Sequence, residues 1–75
     1  MKRKTLSGSK IVKVLTASFE FEKVRQRGSH IVLRKFQDSR KIITIVPNHR
    51  EVDRFTLKGV LELAEIKEED FWEKV

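Results

Sequence analysis

Two histidines hold most of the acid–base potential of this 75-residue sequence. His30 follows Arg25-Gln26-Arg27-Gly28-Ser29 and opens an apolar run, while His49 lies in Pro47-Asn48-His49-Arg50. An imidazole with an ordinary pKa of about 6.5 takes up and returns a proton near neutrality. Cleavage of an RNA strand needs that capacity, as a base toward the 2′-hydroxyl and an acid toward the leaving 5′-oxygen. One positioned group of this kind contributes about 10²–10⁴-fold. Arg25, Arg27, Arg34 and Lys35 surround His30 in the sequence, and cations there can hold a phosphate and stabilise charge on the phosphorane. Ser29 adds a hydroxyl and Gly28 exposes backbone. The bland alternative is a histidine that starts a strand and bonds a turn carbonyl. For His49, in a polar loop, RNA contact fits better than proton transfer.

Other chemistries are poorly supported. The two histidines are nineteen residues apart and cysteine is absent, so no zinc spacing exists. Glu20 with Glu22, or Glu68, Glu69 and Asp70, could face magnesium. Strand alternation explains the first pair and helix-start electrostatics the second group. No metal and no cofactor are expected. Glycines at 8, 28 and 59 form no phosphate-binding loop, and Ser29 adjoins His30 too closely for a triad. Phe19, Phe21, Phe36, Phe55, Phe71 and Trp72 fit core positions rather than a base-stacking platform.

Charge points to a polyanion. The net charge is +6, and residues 1–59 carry fifteen Lys/Arg against five Asp/Glu. Residues 60–75 reverse the balance, with two against six. A basic working surface with an acidic end held away from it is the natural reading. The missing cysteines fit a reducing compartment. Lysines interrupt any apolar leader after Met1-Lys2-Arg3-Lys4, and no run could span a bilayer. A cytoplasmic protein is expected.

These residues need a scaffold. Residues 1–6 read as a flexible basic N-terminus and 7–75 as one domain. Ser7 or Ser9 can cap a first helix in which Ile11 and Leu15 share a face, ending near Ser18. From Phe19 the period becomes two, with Phe19 and Phe21 set against Glu20 and Glu22 as in a half-buried strand. A Gly28-Ser29 turn, the strand from His30 to Phe36, a hairpin loop at Gln37–Arg40 and the strand Lys41–Val46 follow. Pro47 ends that strand. Leu57, Val60, Leu61 and Ala64 form the stripe of a second helix, with Thr56 as its expected cap. Gly59 inside it suggests a close helix–sheet contact. Phe71, Trp72 and Val75 in a short last helix should close the core. The expected fold is α+β, an α-β-β-β-α layout with a three-stranded antiparallel sheet and helices packed on one face.

The order of motifs resembles the HicA-type toxins, small mRNA interferases also described as YcfA-like, with a double-stranded-RNA-binding-like fold. The likeness runs from about Ser7 to Phe71. Its most specific parts are Gly28-Ser29-His30 and Val46-Pro47-Asn48-His49, followed by Thr56-Leu57. It departs from the family pattern at Ala17-Ser18-Phe19 and at Ile31. The resemblance implies that His30 is the catalytic residue of metal-independent, endonucleolytic mRNA cleavage that arrests translation. It also implies a type II toxin-antitoxin system and a cognate HicB-type antitoxin that covers the histidine.

On this reading Arg27, Gly28, Ser29, Arg34 and Lys35 hold the scissile phosphate, while Lys10, Arg40, Lys41, His49 and Arg50 attract the RNA. Strand alternation puts His30 and Arg34 on one face and Lys35 on the other. The alternative is a non-catalytic double-stranded-RNA or nucleic-acid binder. A protein-interaction module with a basic face is a third class.

Overall fold

The computed structural model describes residues 5–75, in the order α1 (Gly8–Ser18), β1 (Glu22–Arg27), β2 (His30–Gln37), β3 (Arg40–Pro47), α2 (Arg54–Ala64), α3 (Glu68–Glu73). The strands form an antiparallel sheet in the order β1-β2-β3. The helices lie on one side, so the layout is the expected α-β-β-β-α. Of the expected flexible segment 1–6, residues 1–4 lie outside the described residues. Leu6 makes an isolated antiparallel bridge with Val52.

Helix α1 starts where the Ser7 hydroxyl accepts the Lys10 amide at 3.1 Å, filling an orphan donor of the first turn. Ile11, Val14 and Leu15 are buried. The exit from this helix differs from the sequence expectation. The amides of Phe19 and Phe21 both donate to the Leu15 carbonyl, each at 3.2 Å, and Glu20 takes a φ of 65°. A left-handed residue ends a helix readily and breaks strand alternation. Phe21 therefore reaches the core from a capping turn, and β1 begins only at Glu22 with every residue exposed.

Strands β2 and β3 carry the buried layer. Ile31, Leu33, Ile42, Thr44 and Val46 point at the helices, as period-two alternation requires. Their hairpin turns at Asp38 and Ser39, with φ of 52° and 66°, two successive positive values that match the strand twist. Thr44 is fully buried, and its hydroxyl donates to the Val60 carbonyl at 2.7 Å. That bond ties β3 to α2 while satisfying a polar group that would otherwise be costly to bury.

In α2 the cap is Asp53 rather than Thr56. The Asp53 carboxylate accepts the Thr56 amide at 2.8 Å and the Thr56 hydroxyl at 3.0 Å, so Thr56 sits three positions in, as a donor. Leu57, Val60, Leu61 and Ala64 are buried as their spacing requires. A Cβ on Gly59 would meet nothing within 4 Å, so the expected close contact is not there. Phe71 is fully buried and packs edge-on against Trp72, with ring centroids 5.6 Å apart at 81°. Val75 is exposed, because α3 ends at Glu73 and the chain leaves the core. Phe36 and Phe55 are also outside the core, at 63% and 89% exposure. Phe36 alternates onto the uncovered sheet face, and Phe55 precedes the buried stripe of α2.

Candidate nucleic-acid interface

The site residues are held where three segments meet. Gly28 and Ser29 form the two-residue turn between β1 and β2, and Arg27 faces His30 across its base. Gly28 has a φ of 56°, a conformation glycine adopts without a Cβ clash. The Gln26 side chain donates to the Gly28 carbonyl at 3.0 Å. On the other flank His30 pairs with Pro47 of β3, and the Asn48 amide donates to the Ser29 carbonyl at 2.6 Å. Pro47 has no amide for the ladder, so Asn48 continues the pairing one residue on.

The third segment is the start of α1. The Gly8 amide donates to the His49 carbonyl at 2.8 Å. A side chain at Gly8 would collide with the Pro47 carbonyl oxygen and reach the Asn48 Cα at 3.0 Å. Gly8, Asn48 and Gln26 thus position the site without appearing among its expected residues. For Gly8 the only sequence signal is a glycine directly after the capping serine, where a side chain is normally tolerated.

His30 is exposed, and so are Arg27, Ser29, His49 and Arg50. No carboxylate occurs from Lys23 to Gln37 or from Arg40 to Arg50, so neither segment sets a negative charge of its own against a ligand. The structure brings Arg27, Gly28, Ser29 and His30 together with the loop bearing His49 and Arg50. It spreads the remaining cations. Arg34 shares the His30 face, since the only irregularity lies in β1 between Lys23 and Arg25. Its guanidinium binds the Glu22 carboxylate at 2.5 Å and lies 5.3 Å from the Phe36 ring centroid. Lys35 points to the helix side, donating to the Phe19 carbonyl at 3.2 Å and lying 5.1 Å from the centre of the Phe21 ring. Arg40 is paired with Glu65. Arg40 and Lys41 sit at the opposite hairpin, level with Gln37 and Phe36 and so roughly 20–23 Å from His30 at about 3.3 Å per strand residue.

One carboxyl has a clear perturbation. The Thr56 amide, and then the Thr56 hydroxyl, hold the Asp53 carboxyl below its ordinary value by favouring the charged acceptor. It serves the helix start and not the histidine turn. Among the described residues, no group of three or more His, Asp or Glu side chains converges as a metal site. Nor is any described helix long and apolar enough to cross a membrane.

The chain is thus an α+β protein, a small α-β-β-β-α domain with an exposed histidine beside a cationic hairpin turn. Residues 8–66 match the family described as HicA toxin of bacterial toxin-antitoxin, and the chain belongs to that family. HicA toxins pair with antitoxins in toxin-antitoxin systems. No curated protein and no solved structure matches the chain significantly.

Proposed function

We propose that this toxin is an mRNA endoribonuclease whose proton carrier is His30. The observation that carries the reading is the placement of His30. It is exposed, paired across the turn with Arg27 and braced through Ser29 by Asn48. In the reaction, a ribose 2′-oxygen attacks the adjacent phosphorus, its proton is withdrawn, and the 5′-oxygen leaves with a proton. His30 performs one of these transfers. Arg27, Gly28, Ser29, His49 and Arg50 contact the RNA at the scissile phosphate and beside it. Arg34, Lys35, Arg40 and Lys41 act at longer range, raising the local concentration of the polyanion.

The cleavage is metal-independent and arrests translation in the cytoplasm, and a HicB-type antitoxin restrains it. The experiment compares wild type and His30→Ala on single-stranded RNA in EDTA, with product ends mapped. Wild type cuts, and the variant is slower by about 10²–10⁴-fold. Equal cleavage by both proteins overturns the assignment of His30. Tight binding with no cleavage by either favours a non-catalytic RNA-binding module.

A further inference from the structure

In-line attack by a 2′-oxygen puts the entering and departing oxygens on opposite sides of the phosphorus. Base and acid must then flank the scissile phosphate, and one imidazole cannot stand on both sides in a single displacement. With His30 handling one proton, a second carrier has to face it. Few side chains of this protein qualify. The chain has two histidines and neither cysteine nor tyrosine. The guanidinium groups of Arg27 and Arg50 do not release a proton near neutrality, and the Ser29 hydroxyl and the Asn48 amide do not titrate there. Glu22 is bound to Arg34, four residues along β2 from His30. Glu51 accepts the Thr5 hydroxyl at 3.1 Å, and Asp53 serves the α2 cap. Lys35 donates to the Phe19 carbonyl on the helix side. Among the described residues around the turn, His49 remains.

The register of the β2–β3 ladder puts His49 where such a carrier is needed. His30 lies opposite Pro47, and the Asn48 amide, which donates to the Ser29 carbonyl, carries the pairing past the end of β3. With residue 48 turned toward β2, residues 47 and 49 turn their carbonyls to the outer edge, as antiparallel pairing requires. The His49 carbonyl accordingly meets the Gly8 amide, and the Pro47 carbonyl lies against Gly8 as well. The backbone thus stays extended through His49, and alternation returns that residue to the face bearing Pro47 and His30. Residues two apart across a ladder are diagonal neighbours roughly 7–8 Å apart, within reach of ring side chains. A phosphate hydrogen-bonded on either side fits between two imidazoles so placed. Both histidines are exposed. Arg27, paired with His30, and Arg50, next to His49, are the charged neighbours in these segments, and cations there favour the charge of a phosphorane.

We infer that His49 is a second catalytic residue, the proton carrier that works opposite His30 across the scissile phosphate. The assignment rests on His30 as the first carrier. One imidazole takes the 2′-hydroxyl proton as the O2′–P bond forms. The other gives its proton to the 5′-oxygen as the P–O5′ bond breaks, which leaves a 2′,3′-cyclic phosphate and a 5′-hydroxyl. Each ring ends in the protonation state in which the other began, and exchange with water resets the pair. The structural duty of residue 49 falls on its backbone carbonyl, so the side chain can be replaced without cutting the tie to α1.

The test measures kcat and KM of the full chain in EDTA on two substrates. One is a short RNA spanning the mapped cleavage site. The other is the same RNA with sulfur in place of the 5′-bridging oxygen at that site. A thiolate leaves without being protonated, so this substrate bypasses the acid and still needs the base. His49→Ala and His49→Gln should each lower kcat on ordinary RNA by about 10²–10⁴-fold, with KM changed less and thermal melts unchanged. Glutamine keeps a hydrogen bond to phosphate but carries no proton, so it separates contact from transfer. On the sulfur substrate one of His30→Ala and His49→Ala should regain most of the wild-type rate, which names the acid. The other should stay slow, which names the base. The proposal is overturned if the His49 variants raise KM and leave kcat intact, if His49→Gln cleaves like wild type, or if sulfur rescues both alanine variants or neither. His30→Ala cleaving as fast as wild type overturns the role of His30 instead, and a wild type that does not cut removes both.

Discussion

The Gly8 amide donates to the His49 carbonyl at 2.8 Å, joining the first residue of α1 to the loop that flanks the histidine turn. The approach leaves no room for a Cβ beside Pro47. Gly8→Ala therefore forces α1 and the 47–49 loop apart. We expect a stability loss of about 1–3 kcal/mol, as for other overpacked contacts, read as a lower urea midpoint. RNA cleavage should fall as well, because Asn48 would no longer brace Ser29.

Gly59 presents the opposite case. It lies in the interior of α2 with open space where a Cβ would go. Gly59→Ala should stabilise the fold by about 1 kcal/mol through helix propensity. In a domain this small that corresponds to a melting temperature higher by about 4–8 °C. A lower melting temperature would show that α2 needs glycine for a reason other than space.

Gly28 tests the turn itself. Its φ of 56° strains any residue with a side chain, at about 1–3 kcal/mol. Gly28→Ala should lower stability by an amount near the bottom of that range. Gly28→Asn should lower it less, since asparagine tolerates the left-handed region. Cleavage assays on the two variants should rank them in the same order.

The bond from Thr44 to the Val60 carbonyl couples β3 to α2 at full burial. Thr44→Val keeps the shape and removes the donor. A loss of about 1 kcal/mol is expected, measured by chemical denaturation, with no change in RNA cleavage because Thr44 points at the helices, on the opposite face of the sheet from His30.

Acid titration isolates the α2 cap. Hydrogen bonds from Thr56 lower the Asp53 pKa in the folded chain, so folding favours the carboxylate. That contribution is complete above the ordinary carboxylate range and fades as pH falls through the folded value, below about pH 4. Asp53→Ala should melt at a lower temperature at neutral pH, and its melting temperature should fall less steeply than wild type in acid. Thermal melts across an acidic pH series check both parts.

The element order was legible because spacing alone carries it. Ile11 with Leu15, the Lys41–Val46 alternation and the Leu57–Ala64 stripe each match one period. The errors fall where local chemistry overrides a pattern. Phe19 and Phe21 alternate with acids as a strand would, yet the Leu15 carbonyl captures both of their amides and a left-handed Glu20 ends the helix there. Asp53 outcompetes Thr56 as a cap because its carboxylate can accept both the amide and the hydroxyl of Thr56. Hydrophobicity alone put Phe36 and Phe55 inside, whereas strand parity already places Phe36 with Arg34 on the outer face. The histidine turn was visible as Gly28-Ser29-His30. Its supports were not, because Asn48 and Gly8 act through backbone amides that every residue type but proline possesses.

The bulge at Val24 has a bearing on how this chain behaves at high concentration. β1 is an edge strand, and edges of this kind recruit foreign strands into aggregates. Here the ladder is broken between Lys23 and Arg25, and Lys23, Arg25 and Arg27 put cations along the same border. An incoming strand would meet a misregistered backbone and electrostatic repulsion together. For a protein with valine and isoleucine exposed on one face, resistance to strand addition along the β1 border then depends on a single inserted residue and three basic side chains.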